Sequence, residues 1–282
     1  MNKSGLNLDA IKSVIDYALK EDIGSGDVTT NSLIPLELST KATMVAKSSG
    51  VIAGLAVAKY VFRTLSPDII WKAFVNDGDK VVRGDLILEI SGSYRALLTG
   101  ERLALNFMQR MSGIATMTAN YVNALTGFKT KILDTRKTVP GLRILDKYAV
   151  KMGGGTNHRI GLYDMVLIKD NHIKIAGGIT SAVAQIKKSV PAGIKIEVET
   201  TTIEEVKEAL AAGVDIIMLD NMTNDTMAES VKIIDGRAKI EASGNMSLER
   251  LKEVAATGVD FISIGALTHS VAAFDISMNI ES

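Results

Sequence analysis

The chain contains no cysteine. That excludes disulfides, thiolate metal ligation and a thiol nucleophile, and it fits a reducing compartment. No apolar run is long enough to span a bilayer, and Met1-Asn2-Lys3-Ser4-Gly5-Leu6 opens no signal-peptide core, so a cytoplasmic location and no membrane partner are the expectation. Net charge is absent as well. The 32 Lys and Arg balance 32 Asp and Glu, which argues against a polyanion such as nucleic acid as the partner. Two phosphate-binding signatures are missing: no Gly-Lys-Ser/Thr follows a glycine-rich loop, and no Gly-x-Gly-x-x-Gly opens a helix. Residues 75–86 have the glycine-punctuated rhythm of biotinyl and lipoyl sandwiches but no Met-Lys-Met tip to modify, so they are read as scaffold.

What is present is a chain of 282 residues, 46% hydrophobic and 23% charged, enough for one large or two ordinary domains with a real core. Its charge is unevenly spread. Residues 131–174 hold nine Lys and Arg against four Asp, an excess of +5, together with His158 and His172, two of the three histidines. A neutral chain that gathers cationic donors into one stretch has an anionic small molecule to hold.

The C-terminal half repeats itself. Ala212-Gly213-Val214-Asp215-Ile216-Ile217-Met218-Leu219 returns as Thr257-Gly258-Val259-Asp260-Phe261-Ile262-Ser263-Ile264, in each copy a helix-ending Gly leading into a short apolar run. Six such runs, near 130–135, 164–169, 193–199, 214–220, 238–243 and 259–265, are rich in Ile, Val and Leu without strict alternation, as strands buried on both faces are. Helical patterns lie between them. Thr202-Ile203-Glu204-Glu205 has the form of a capping box, and Ser247 is placed to cap a helix carrying Leu248, Leu251 and Val254. Strands and helices alternating in this way predict parallel βα units closing into a barrel or an open doubly wound sheet, and their number favours a barrel short of the usual eight strands. In the N-terminal third, Asp9 is placed to cap a helix with Ile11, Ile15 and Leu19 on one face, ahead of a Gly-rich turn at 22–27. Strand-like stretches follow at 40–47, 69–75, 81–90 and 94–98, with helices at 54–65 and from about 100 to 125.

The C-terminal ends of the predicted strands carry the chemistry, and in βα barrels that rim is where sites are built. Arg136 and Arg159 offer planar forks for carboxylate or phosphate, Lys137 and Lys169 compact positive charge, and His158 a switchable donor. Glu199 and Asp220 end neighbouring strands, with oxygen donors suited to a hard divalent cation such as Mg2+ bridged to a polyphosphate. Ser243, Gly244 and Asn245, with Gly265 and Ala266, offer small side chains and backbone amides to a phosphate monoester. Gly153-Gly154-Gly155 serves either close backbone approach to a ligand or a joint after a helix ending near Met152. His269 is assigned no role.

At these residues the chain resembles the quinolinate phosphoribosyltransferases, the decarboxylating nicotinate-nucleotide pyrophosphorylases. The likeness covers essentially the whole chain. It runs through residues 18–27, Gly100-Glu101-Arg102-Leu103-Ala104-Leu105-Asn106-Phe107, 112–116, 134–140, 153–172, 197–199, Leu219-Asp220-Asn221, Glu241-Ala242-Ser243-Gly244 and 265–270. The resemblance implies an N-terminal α/β sandwich over residues 1–112, closed by 271–282, and an incomplete, six- to seven-stranded parallel α/β barrel over 113–270. It implies transfer of phosphoribosyl from phosphoribosyl pyrophosphate to quinolinate with loss of CO2, in a homodimer or a hexamer of dimers. Arg136, His158, Arg159 and Lys169 would then hold the dicarboxylate, with Arg102 reaching in from a neighbouring chain. Lys137 would bind phosphate, Glu199 and Asp220 would address the ribose and magnesium, and Ser243, Gly244 and Gly265 the 5′-phosphate. Lys137, Glu199 and Asp220 would be the catalytic set. Asn245 stands where some relatives have Gly. The alternatives are a molybdenum-linked paralogue or another pyridine phosphoribosyltransferase of this fold, and a non-catalytic anion-binding protein. The paired demand for Arg102, Arg136, Arg159 and Lys169 favours a dicarboxylate over a monocarboxylate.

Overall fold

The structure is a computed structural model describing residues 6–281. In chain order it builds α1 (Lys12–Ile23), α2 (Val28–Leu33), β1 (Ser39–Ala46), β2 (Gly50–Val51), α3 (Leu55–Leu65), β3 (Ile70–Ala73), β4 (Lys80–Val81) and β5 (Leu86–Ser93). The long α4 (Tyr94–Ala124) leads to β6 (Lys131–Leu133), α5 (Arg143–Met152), β7 (Val166–Ile168), α6 (Asp170–Ala176) and α7 (Ile179–Ser189). Then come β8 (Ile196–Thr200), α8 (Ile203–Ala211), β9 (Ile216–Asp220), α9 (Asn224–Ile234) and β10 (Lys239–Ser243). The chain ends in α10 (Leu251–Ala256), β11 (Phe261–Ser263), α11 (Ala266–His269) and β12 (Ile276–Ile280).

These elements form two compact units. The first takes the chain up to Ala119, the segment Thr138–Gly154 and the chain from Ala266; the second takes Asn120–Lys137 and Gly155–Gly265. The first unit is built on an antiparallel sheet in the order β12-β1-β5-β3, its last strand returning to set Met278 opposite Met44. Met44, Phe62, Leu88 and Ile90 are fully buried in it.

Three helix starts differ from the sequence reading, each because a local bond was satisfied otherwise. Asp9 does not cap α1: residues 8–11 form a turn, Ile11 takes the cap position, and the Asp9 N–H goes to Asn7 Oδ1 at 3.1 Å. The stretch 94–98 is the first turn of α4 and not a strand. Ser93 Oγ accepts from the Ala96 N–H at 3.4 Å, and Ala96 and Leu97 are good helix formers that bury inward. Ser247 bonds to Glu249 and does not cap the helix, so α10 starts at Leu251. The box ahead of α8 is half formed: Thr202 Oγ1 accepts from the Glu205 N–H, but the Glu205 carboxylate turns to the Thr201 N–H and hydroxyl.

All six apolar runs of the C-terminal half are strands, joined in one parallel sheet in the order β6-β11-β10-β9-β8-β7. Thr156 adds a seventh, single-residue step by bridging to Leu133 on the outer edge of β6. The sheet is curled into an incomplete barrel, and one contact shows it. His158, two residues past Thr156, lies five strand spacings from β8, about 24 Å if the sheet were flat. Its Nε2 is nevertheless 2.8 Å from the Glu197 carboxylate on β8.

Candidate active site

Register decides which residues face the barrel interior. Parallel partners share a face, and Glu199 pairs with Met218, Met218 with Glu241, and Asp220 with Ser243. Glu197 stands two residues before Glu199, and its contact with His158 marks that face as the inner one. The interior therefore carries Glu197, Glu199, Met218, Asp220, Glu241 and Ser243 as successive rungs, the higher-numbered residue of each strand nearer the C-terminal rim.

The deep layer holds His158, Glu197 and Glu241. Nε2 of His158 lies 2.8 Å from Glu197 Oε2 and 3.4 Å from Glu241 Oε2, with the side chains 9%, 0% and 1% exposed. The second approach is an ion-pair distance without hydrogen-bond alignment. Burial opposes the imidazolium, but the hydrogen bond to Glu197 and the pull of Glu241 outweigh it, and His158 is pushed up to about 10. Burial, then the charge of Glu241, raises Glu197 to about 7 against the lowering effect of His158. Among the described residues, ligand atoms of these three side chains all lie within 4.8 Å of one another, a spacing that could hold a metal ion. The backbone of the same histidine is tied down by Asp134, fully buried at the end of β6. Asp134 accepts the His158 N–H at 2.8 Å and the Asn157 side-chain amide.

At the rim, Lys169 and Glu199 meet directly, Nζ to Oε2 at 3.0 Å. Asp220 accepts the side-chain amide of Asn221 at 2.7 Å, and Asn221 in turn accepts from Asn245 at 3.2 Å. Gly244 sits against this pair at φ +90°, where a Cβ would overlap the Asn221 side chain. Asn245, at φ 46°, adopts the left-handed conformation that Asn tolerates best after Gly. Gly265 follows β11 and leads directly into α11.

Arg136 and Arg159 form a cationic wall. Arg159 donates to the Met165 carbonyl at 3.2 Å, and its guanidinium is pushed down first by burial and then by the charge of Arg136. Arg136 keeps a buried Nε with no hydrogen-bond partner. Lys137 is exposed beside it, in a turn held by Thr135 Oγ1 accepting the Lys137 N–H. Arg102 is exposed on α4 in the first unit, whereas Arg136, Lys137, His158, Arg159, Lys169, Glu199, Asp220, Ser243, Gly244, Asn245 and Gly265 belong to the second. The triple glycine serves packing: a Cβ on Gly153 would run into the Ala115 carbonyl and Thr118 of α4.

The sequence reading passed over Asp134, Glu197 and Glu241 as ligands or supports. A signal was available. Ile196-Glu197-Val198 and Ile240-Glu241-Ala242 each set a carboxylate inside an apolar strand, not at its end. In a strand buried on both faces such a residue must point into the barrel and find a cation there.

Comparison with known proteins follows the same outline. Residues 27–112 match the family described as quinolinate phosphoribosyl transferase, N-terminal domain, and residues 114–279 match its C-terminal domain. A Bacillus subtilis protein named probable nicotinate-nucleotide pyrophosphorylase (carboxylating) is 47% identical over 270 residues, covering 96% of this chain and 93% of its own. A Synechocystis protein of the same name is 49% identical over 233 residues, 82% of this chain and 79% of its own. The crystal structure of NadC from Streptococcus pyogenes superposes with a TM-score of 0.94 at 43% identity, covering 97% of each chain.

Proposed function

The chain belongs to the quinolinate phosphoribosyltransferase family, and from that premise we propose that it transfers the phosphoribosyl group of phosphoribosyl pyrophosphate to quinolinate with loss of CO2, giving nicotinate mononucleotide and pyrophosphate. One observation carries the reading beyond kinship. The Arg136 guanidinium is close enough to Arg159 to disfavour the charge on Arg159, and a buried Nε of Arg136 has no partner. A planar dicarboxylate supplies the oxygens and the negative charge that relieve both.

Arg136, His158, Arg159 and Lys169 hold the two carboxylates and aim the pyridine nitrogen at C1 of the ribose. Lys169, paired with Glu199 at 3.0 Å in the free site, moves its bond to the substrate. Glu199 and Asp220 take the ribose hydroxyls, and Ser243, Gly244, Asn245 and Gly265 the 5′-phosphate. Glu199 and Asp220, oxygen donors on adjacent strands with their side chains on one face, fit Mg2+ shared with a diphosphate. The bound ion would neutralise charge on the departing pyrophosphate. As that group leaves, C1 becomes oxocarbenium-like, and Lys137 stabilises the negative charge moving onto the leaving oxygen. The ring nitrogen bonds to C1 and becomes cationic. The adjacent carboxylate then departs as CO2, its bonding electrons remaining on the ring carbon next to the cationic nitrogen until a proton replaces it. No covalent enzyme intermediate is needed.

The proposed assembly is a homodimer or larger, with Arg102 completing the site of a second copy. Val28, Leu33 and Leu36, 77%, 72% and 70% exposed over one short helix and turn, are the apolar surface such an assembly would cover. The proposed setting is the cytoplasm, a reading that rests on the cysteine-free composition. No helix among the described residues is long and apolar enough to cross a membrane. The test is release of CO2 and a mononucleotide from quinolinate, phosphoribosyl pyrophosphate and Mg2+. Product formed from nicotinate but not from quinolinate would overturn the assignment.

A further inference from the structure

We infer that Asn221 is a positioning residue for the phosphoribosyl donor: its side-chain amide ties Asp220, at the ribose end of the site, to the loop Ser243-Gly244-Asn245 that takes the 5′-phosphate. This rests on the functional reading above and adds to it a residue that reading leaves without a role.

Asn221 is bonded on three sides. Its backbone N–H donates to the Ser243 carbonyl at 3.0 Å. Its Nδ2 donates to Asp220 Oδ2 at 2.7 Å, and its Oδ1 accepts from Asn245 Nδ2 at 3.2 Å. The direction of this relay is fixed chemically. An ionised carboxylate only accepts, so the amide nitrogen faces Asp220 and the amide oxygen is left for Asn245. Asp220 and Ser243 are register partners on β9 and β10, so the relay runs from the end of one strand to the loop leaving its neighbour. One side chain thereby sets the orientation of the Asp220 carboxylate and the path of the loop after β10.

The backbone is shaped around this amide. Among the described residues three non-glycine positions have positive φ: Asn221 at 54°, Asp235 at 47° and Asn245 at 46°. Asp235 closes α9, where that conformation is ordinary. The other two are the two ends of the amide–amide bond. Gly244, at φ +90°, leaves the room: a Cβ there would overlap Asn221 Oδ1. Asn221 is exposed, so core packing does not account for three left-handed residues meeting at its side chain. Such backbone persists where the surrounding bonds hold it, and here those bonds join the two ends of the donor site.

Asn221 is not bonded to Arg136, His158, Arg159 or Lys169, the groups assigned to the dicarboxylate. Removing its amide should therefore weaken the grip on the phosphoribosyl group and leave quinolinate alone. A merely structural residue would affect both substrates through a loosened barrel.

The test is Asn221→Gly. Glycine takes φ 54° freely, so the backbone is kept while both side-chain bonds are lost. Calorimetric affinity for ribose 5-phosphate, which carries the ribose and the 5′-phosphate without the pyrophosphate, should fall about fivefold or more, the loss of two hydrogen bonds of which one is to a charged group. KM for phosphoribosyl pyrophosphate should rise by a similar factor, and KM for quinolinate should stay within about twofold. If Asn221→Gly does not fold, Asn221→Asp serves in its place: it keeps an acceptor for Asn245 but sets a second carboxylate against Asp220, and the same loss is expected. Unchanged affinity for ribose 5-phosphate overturns the inference. So does an equal rise in both KM values, or a wild type that binds no ribose 5-phosphate. If the wild type releases no CO2 from quinolinate, the reaction reading fails instead, and the ribose 5-phosphate affinities decide the role of Asn221 independently.

Discussion

Nε2 of His158 lies 2.8 Å from Glu197 Oε2, although five strand spacings separate their backbones along the sheet. The contact ties the free edge of the sheet to its far side, so one polar triad both marks the curl of the barrel and lies beneath its rim. It also stores protons. His158 is raised to about 10 from an ordinary 6.5, and Glu197 to about 7 from 4.5.

Stability should therefore fall as pH rises. A histidine raised on folding contributes stability that is complete below about pH 6.5 and lost as pH climbs through about 10. Glu197, also holding its proton more tightly when folded, acts in the same direction between about 4.5 and 7. Between pH 6.5 and 10 the melting midpoint of the wild type should drop by roughly 5 °C or more, and Glu197→Gln/Glu241→Gln should flatten that slope. Scanning calorimetry across the window reads it directly; a midpoint that rises with pH would reverse the sign and remove the triad as its cause.

The strands of the second unit were legible because burial on both faces leaves a local mark, a short Ile- and Val-rich run after a helix-ending Gly. Their rim was legible for the same reason, since Lys169, Glu199 and Asp220 interrupt those runs at their ends. The triad was not, because it depends on closure across distant strands. Sequence spacing cannot say that residue 158 meets residues 197 and 241. One helix start was missed where a serine had a competing local partner, as Ser247 has in Glu249. Arg102 shows a further limit: one chain places it in the first unit and says nothing of which copy it serves.

Gly153 tests the packing role of the triple glycine. Its backbone is ordinary, at φ −78°, so an added methyl group costs nothing in conformation and everything in space. The atoms it would meet include the Ala115 carbonyl, which cannot swing aside. Gly153→Ala should lose roughly 1–3 kcal/mol in urea unfolding while the surviving folded enzyme keeps both KM values. A raised KM with unchanged stability would return this glycine to the ligand loops.

Gly244 should behave in the opposite way. Its φ of +90° and its approach to Asn221 both exclude a side chain, and Asn221 is the group bonded to Asp220. Gly244→Ala should cost roughly 1–3 kcal/mol and raise KM for phosphoribosyl pyrophosphate more than for quinolinate. Gly141→Ala, at φ +82° with nothing within 4 Å, supplies the control: the same conformational strain without the collision. Equal kinetic effects from the two substitutions would show that crowding of Asn221 does not matter.

Arg102 and Lys137 decide whether the site is shared between copies. If each site combines Lys137 of one chain with Arg102 of another, Arg102→Ala and Lys137→Ala should each be nearly inactive alone, because every site in either homodimer lacks one cation. In a mixed dimer the two defects fall together in one site and leave the other intact. Random exchange puts about half the dimers in the mixed state, so about a quarter of wild-type activity should return. If both residues serve the site of their own chain, every site in the mixture still carries one defect and nothing returns. The measurement is the rate of CO2 release before and after subunit exchange, with exchange confirmed by a tag on one variant; exchanged dimers that stay inactive would place Arg102 outside its neighbour's site.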